Sequence, residues 1–275
     1  MRGVHLYTLP DFIRKMEDWT AYGVEYQAVY DSYTTKPSDA QAAIDNTMVE
    51  GWVSDGVLAK LDILDIGAVH INSDSEALKN WISPGTFDPS LVNAPAFGIN
   101  EGFTGNGANA YINLNWNPSV NGVNYIQDSA SVGIYIRTNV GENRYDIGCN
   151  DGIVHVGIQA KNGSNKGAVK VNSSLLQSAA NTDSRGMFIA NRVLSTEQDL
   201  WKNKVRIVNG TRGTNGVPNM GIVALANNAN GSIGQFSTKQ LSMVFAGSGL
   251  TQTDINNLTD RFETRMDALG KGVIT

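Results

Sequence analysis

The chain has 275 residues and a formal net charge of −5. This charge excludes a nucleic-acid binder that works by bulk electrostatics, because phosphate neutralisation needs clustered Lys and Arg. Only 17% of the residues are charged, 41% are hydrophobic and 29 are glycine, which excludes wholesale disorder and favours an all-β chain with many turns.

Cys149 is the only cysteine, so no disulfide can form within the chain. Its apolar-polar surroundings predict a small buried hydrophobic residue. The first residues contain no apolar core of signal-peptide length, and no stretch reaches the ~18–20 apolar residues of a membrane span. We therefore expect a protein made in a cytoplasm, with no leader and no membrane contact.

Residues 1–23 are predicted to form a separate amphipathic helix. Phe12, Ile13, Met16 and Trp19 recur at helical spacing, and charged residues occupy the other faces. This apolar stripe either packs on its own domain or attaches the chain to a partner or to a copy of itself.

Residues 24–85 are predicted to be a helical lead-in. Ser38 begins a capping box with Gln41, and Gly51 is a plausible helix end. The apolar spacing over 52–64, at Trp52, Val57, Leu58, Leu61 and Leu64, indicates a third short helical stretch.

From about residue 86 the apolar period changes from 3.6 to 2, which is typical of strands. We predict strands over 94–99, 110–114, 131–137, 143–149, 153–159, 168–171, 186–191, 204–209, 221–226 and 240–246. Asn-Gly pairs between several of them indicate tight hairpin turns. A final helix, 251–269, begins at Thr251 and carries one apolar stripe. The fold class is therefore mainly β: an antiparallel β-sandwich over 86–275, with an α-helical N-terminal part and a C-terminal helix packed on the sandwich.

Three segments of the chain together resemble a known module. They are the helical lead-in around Pro37-Ser38, the motif Gly102-Phe103-Thr104-Gly105-Asn106-Gly107, and the run from Met243 to Thr251 before the last helix. Over roughly 24–270 the chain resembles the concanavalin A-like, laminin-G-like jelly-roll module found in fibre, decoration and other structural proteins of tailed phages, notably those of Bacteroidetes hosts.

The resemblance implies two curved antiparallel sheets and often a glycan-facing concave surface. It also implies a place on a virion, with other virion proteins as partners of the N-terminus and host surface polysaccharide as a further partner. Fibres of this kind are often trimers, so a homo-oligomer held by a bundle of N-terminal helices is expected.

A sugar site pairs an aromatic ring with planar amides, because a pyranose has an apolar face and a ring of hydroxyls. Tyr111, Asn113, Asn115 and Asn117 alternate along one side of a predicted strand, with Trp116 on the other side. These five residues are the candidate glycan site. The alternative is a solvated strand face with a core tryptophan.

No catalytic signature accompanies this candidate. The chain lacks the Glu-x-Asp-x-(x)-Glu strand of jelly-roll glucanases, and His155 lacks the Gln-x-His of jelly-roll polysaccharide lyases. Three histidines give no zinc set. We therefore expect a protein that is not an enzyme.

Calcium is the one cofactor that the chain could bind. Asn143, Asp146, Asn150 and Asp151 lie near a strand end and could supply oxygen ligands. The alternative is a hairpin turn in which the same side chains mimic backbone acceptors.

These observations favour a non-enzymatic phage virion protein that displays a lectin-like jelly roll. The alternatives are a stand-alone carbohydrate-binding module and, with less support, a polysaccharide-degrading enzyme.

Overall fold

The computed structural model describes residues 22–274. The predicted assembly residues Phe12, Ile13, Met16 and Trp19 lie outside this range. The helices are α1 (Val24–Ser32), α2 (Asp39–Ser54), α3 (Pro118–Asn121) and α4 (Gln252–Ala268), and a 3-10 turn covers Leu58–Lys60.

The strands, in chain order, are β1 (Leu61–Ile66), β2 (Ser90–Val92), β3 (Ala96–Gly98), β4 (Gly102–Thr104), β5 (Tyr111–Asn113), β6 (Ala130–Ile136), β7 (Ile147–Asn150), β8 (His155–Gln159), β9 (Lys166–Ser173), β10 (Gln177–Ala180), β11 (Gly186–Arg192), β12 (Glu197–Lys202), β13 (Val205–Thr211), β14 (Val223–Ala224), β15 (Asn227–Ala229), β16 (Ser232–Gly234) and β17 (Gln240–Gly247).

These strands form two sheets that pack face to face. The eight-stranded sheet has the order β13-β12-β11-β6-β17-β4-β3, and β1 also pairs with β17. The nine-stranded sheet has the order β10-β9-β8-β7-β14-β5-β2, with the β15–β16 hairpin attached to β7. Neighbours are antiparallel except for β15 and β7. The mainly β sandwich with N- and C-terminal helices is therefore confirmed.

One apolar row across the nine-stranded sheet shows how the core is built. Register partners on adjacent strands point into the sandwich. The buried ones are Ile112, Ala224, Ile147, Ile158 and Val169, and the half-buried Leu91 packs against them at the edge. Each fully buried side chain of this size contributes about 1.5–3 kcal/mol to folding.

The C-terminal helix covers the outer face of the eight-stranded sheet. Thr251 and Asp254 form a reciprocal capping box at its start. The Phe262 ring packs edge-on against the Tyr135 ring of β6, with centroids 4.9 Å apart. Helix α2 packs on α4, and α1 packs on α2. The long helices therefore lie on one side of the sandwich.

The prediction of a third helical stretch over 52–64 is wrong from Leu61 onward. Leu61–Ile66 forms β1, which pairs with β17. This strand is buried along nearly its whole length, and its sequence Leu-Asp-Ile-Leu-Asp-Ile repeats with a period of three, so no alternation is visible. The lead-in 24–85 therefore contributes a strand to the sandwich and is not purely helical.

Gly51 does not end its helix either. Helix α2 continues to Ser54, and a Cβ at Gly51 would lie 2.5 Å from Nε of Arg261 on α4. The glycine permits close helix packing.

No helix among residues 22–274 has the length and apolarity needed to span a bilayer.

Candidate functional site

The outer surface of the nine-stranded sheet, here called the open face, lies opposite the long helices. One row of register partners on this surface alternates with the buried row and therefore projects outward. It runs across six strands and consists of Ser90, Asn113, Val223, Gly148, Gly157 and Lys170.

Two paired glycines, Gly148 and Gly157, lie at the centre of the open face, where other side chains cover them. A Cβ at Gly157 would lie 2.8 Å from Cδ1 of Tyr145, and one at Gly148 would lie 3.0 Å from Oδ1 of Asn227. The Tyr145 ring and the Asn227 amide therefore rest directly on the sheet backbone. Four strand spacings separate Asn113 from Lys170, which is about 19 Å.

One end of the open face is aromatic. Tyr111, which lies on the same side of β5 as Asn113, stacks at a tilt against Phe236, with ring centroids 6.3 Å apart and planes at 38°. Both rings are half-buried. Phe236 lies in the loop after β16, where no sequence periodicity marks it, and only the fold brings it beside Tyr111.

The predicted amides do not share one side of a strand. The strand ends at Asn113, because Asn115 adopts a left-handed backbone with φ of 52°. Asn113 Oδ1 accepts the Asn115 N–H at 3.1 Å, and its Nδ2 has no partner among residues 22–274. Asn117 caps α3 and donates its Nδ2 to Asn219 Oδ1 at 2.9 Å. Asn113 is therefore the amide best placed for a ligand.

Trp116 lies in the core. It is 1% exposed and packs edge-on against Tyr125, with centroids 5.7 Å apart. The chain turns at Asn115 and directs this indole inward, so it cannot stack on a sugar in this structure. This corrects its inclusion in the candidate glycan site.

The other end of the open face carries a pair of basic side chains. Lys170 Nζ lies 3.1 Å from His155 Nδ1, and both residues are half-buried. Burial lowers the pKa of both groups, and the Lys170 charge lowers that of His155 further, while the Asp151 charge raises it. Within residues 22–274, neither forms an ion pair with a carboxylate.

Cys149 and His155 do not form a catalytic pair. Cys149 is a register partner of Val156 and points into the core, whereas His155 pairs with Asn150 and points outward. Burial raises the pKa of the Cys149 thiol far above its ordinary value.

The four candidate calcium ligands do not converge. Asp146 is fully buried and accepts from Lys239 Nζ at 2.8 Å. Asn143, Asn150 and Asp151 accept backbone N–H groups of turns. The described residues contain no group of three His, Cys, Asp or Glu with metal-site geometry. In this structure the oxygens of these four residues accept hydrogen bonds from turns and from Lys239.

Comparison with family models and with curated protein sequences gives no match. Among solved structures, a mutant of Trypanosoma rangeli sialidase that displays trans-sialidase activity aligns with a TM-score of 0.51 and 11% identity. The alignment covers 85% of this chain and 40% of the sialidase chain. At this identity the likeness shows a shared β-sandwich fold.

Two further structures align less well. Domain 4 of the arabinanase AbnA from Geobacillus stearothermophilus, in complex with arabinotriose, has a TM-score of 0.48 and 15% identity, covering 73% of this chain and 98% of that domain. The CBM40 of Ruminococcus gnavus IT-sialidase, bound to α2,3 sialyllactose, has a TM-score of 0.43 and 13% identity, covering 58% and 94%.

Proposed function

We propose that this chain is a non-catalytic carbohydrate-binding module whose ligand lies on the open face. The observation that carries the proposal is the Tyr111–Phe236 aromatic pair beside the unpartnered Nδ2 of Asn113. Aromatic rings pack on the apolar face of a sugar, and a few placed polar groups fix its orientation.

Two features favour binding over hydrolysis. The outward row contains no Asp or Glu, whereas glycoside hydrolysis in most families needs two carboxylates flanking the scissile bond. Asp151 is the carboxylate whose charge acts on His155. Its oxygens accept the N–H groups of Ile153, Val154 and Asn219. Binding without a change in glycan mass supports this assignment, and product formation by the wild type would reject it.

The finer part of the proposal is display on a phage particle. It is supported by the resemblance of residues 24–270 to virion modules and by the apolar stripe Phe12, Ile13, Met16 and Trp19. Antibodies against the full chain should then label particles that carry it. Labelling of free protein only would contradict display on a particle. It would not affect the proposal of glycan binding.

The experiment compares the full-length wild type with Tyr111→Ala and Phe236→Ala. A glycan panel identifies a ligand, and calorimetry then measures its Kd. Each variant should bind at least tenfold more weakly, about 1.4 kcal/mol, with little change in unfolding temperature. The matched control is Tyr30→Ala, because Tyr30 is a half-buried tyrosine on α1, on the helical side.

Unchanged affinity in both variants would reject the assignment of the ligand to the open face. Loss of affinity in Tyr30→Ala of the same size would also reject it, because the effect would then be general destabilisation.

A further inference from the structure

We propose that the ligand of the open face is an acidic glycan, and that Lys170 and His155 hold its carboxylate or sulfate group. This inference rests on the proposed function and names its ligand class.

Lys170 differs from three other lysines of the fold in its hydrogen-bond partners. Lys239, which is fully buried, is matched by Asp146 at 2.8 Å, and Lys271 is matched by Glu101. Lys202, half-buried like Lys170, donates to an amide and a carbonyl oxygen. The one hydrogen-bond partner of Lys170 within residues 22–274 is a ring nitrogen of His155. A half-buried cation with no counter-charge is poised for an external anion.

The pair presents convergent donors. When the Lys170 ammonium donates to Nδ1, the neutral His155 ring carries its proton on Nε2. Two N–H bonds of the ammonium and the Nε2–H then remain for a ligand. Hydrogen bonds from a cation to an anionic oxygen are about twice as strong as neutral ones, so an acidic substituent suits these donors better than a hydroxyl.

The neighbours of the pair suit a sugar ring. Asn150 is the register partner of His155 on β7 and adds a planar amide. Gly157 is the register partner of Lys170, and the Tyr145 ring lies on that glycine. An apolar ring surface therefore lies next to the basic pair.

The row geometry links the two ends of the open face. Lys170 and Asn113 lie in one outward row, about 19 Å apart. A single oligosaccharide that passes over the side chains covering Gly148 and Gly157 can reach both the aromatic end and the basic pair. The acidic sugar then lies over β8 and β9.

The test is affinity electrophoresis of the full chain. Gels contain polygalacturonate, alginate, hyaluronate or chondroitin sulfate, and matched gels contain the carboxyl-reduced form of each polymer. Chondroitin sulfate is also used desulfated, and both desulfated and carboxyl-reduced as its neutral form. The apparent Kd of the wild type, obtained from its retardation, should be at least tenfold lower for one of the acidic polymers than for the neutral form of that polymer. Lys170→Gln and His155→Gln should remove this preference and keep weak retardation by the neutral form.

Lys166→Gln is the matched control, because Lys166 is an exposed lysine on the same strand. It removes the same charge and should keep the preference. A preference lost on carboxyl reduction alone assigns the pair to a uronic acid, and a preference lost on desulfation of chondroitin sulfate alone assigns it to a sulfate ester.

Two results overturn the inference. One is equal retardation by the acidic and neutral forms across the panel, and the other is a preference that survives in Lys170→Gln. Binding of neutral glycans alone overturns only this inference and leaves the proposed function standing. Absence of binding to every glycan overturns both.

Discussion

Arg265 of α4 and Asp45 of α2 form a fully buried ion pair, with Nε 2.6 Å from Oδ1. Arg265 also donates to the carbonyl oxygen of Ala68, just after β1. The pair therefore joins the N-terminal helices, the C-terminal helix and the eight-stranded sheet. The helices therefore cover this side of the sandwich, opposite the open face.

Arg265→Met should destabilise the protein by about 3–5 kcal/mol, because it leaves the Asp45 carboxylate buried without its partner. Urea unfolding at neutral pH measures the loss. The control is Asp260→Asn, which breaks the exposed Lys204–Asp260 pair and should cost less than about 1 kcal/mol. Similar costs for the two variants would contradict the structural role of the buried pair.

Asp65 should make stability fall as pH rises. Neither of its buried carboxylate oxygens has a hydrogen-bond partner among residues 22–274. Burial, followed by the Asp88 charge, raises its pKa well above the ordinary value. The folded state therefore keeps a proton that the unfolded chain loses above about pH 4. Stability then decreases by up to about 1.4 kcal/mol per pH unit until the folded-state pKa is reached.

Asp65→Asn removes this dependence. Urea unfolding across a pH series should show that the free energy of unfolding of the variant, relative to that of the wild type, increases as pH rises from about 4. Parallel stability curves for the two proteins would show that Asp65 does not titrate in this way.

Affinity for an acidic glycan should rise as pH falls. Burial and the Lys170 charge lower the pKa of His155, so its ring is neutral at neutral pH and gains charge only in more acidic buffer. The charged groups that act on it are Lys170 on β9 and Asp151 in the turn after β7. Calorimetry between about pH 8 and pH 5 should show a several-fold gain for the wild type and little gain for His155→Gln. An identical pH profile for both proteins would exclude His155 from the anion site.

The N-terminal stripe should control assembly. Replacement of Phe12, Met16 and Trp19 by Ser in the full chain removes most of the apolar stripe, so an oligomer should dissociate to a monomer. Light scattering measures the mass of both proteins. A wild type that is already monomeric, or an oligomer that survives the substitutions, would contradict this role.

The sequence predicts those elements that have strong local signals. The final helix shows this best, because Thr251, Asp254 and the apolar stripe identify its start and its buried face. Strand β1 shows the limit, since a strand buried along nearly its whole length carries no alternation and its leucines also fit a helical spacing.

The candidate site was predicted only in part. Tyr111 and Asn113 lie on the open face as expected for one side of a strand. Trp116 lies in the core, as its place on the other side of the strand and the alternative of a core tryptophan predicted. The later amides do not continue the row, because the left-handed backbone at Asn115 ends the alternation. The Tyr111–Phe236 and His155–Lys170 contacts depend on strand order and loop packing, which a single sequence does not reveal.

The most direct test of carbohydrate binding at the open face is a glycan-array screen of the full-length wild type beside Tyr111→Ala. The account predicts that the wild type binds a small set of related glycans and that the variant loses most of this signal while remaining folded. Equal signals from the two proteins, or no signal from the wild type on any glycan, would contradict it.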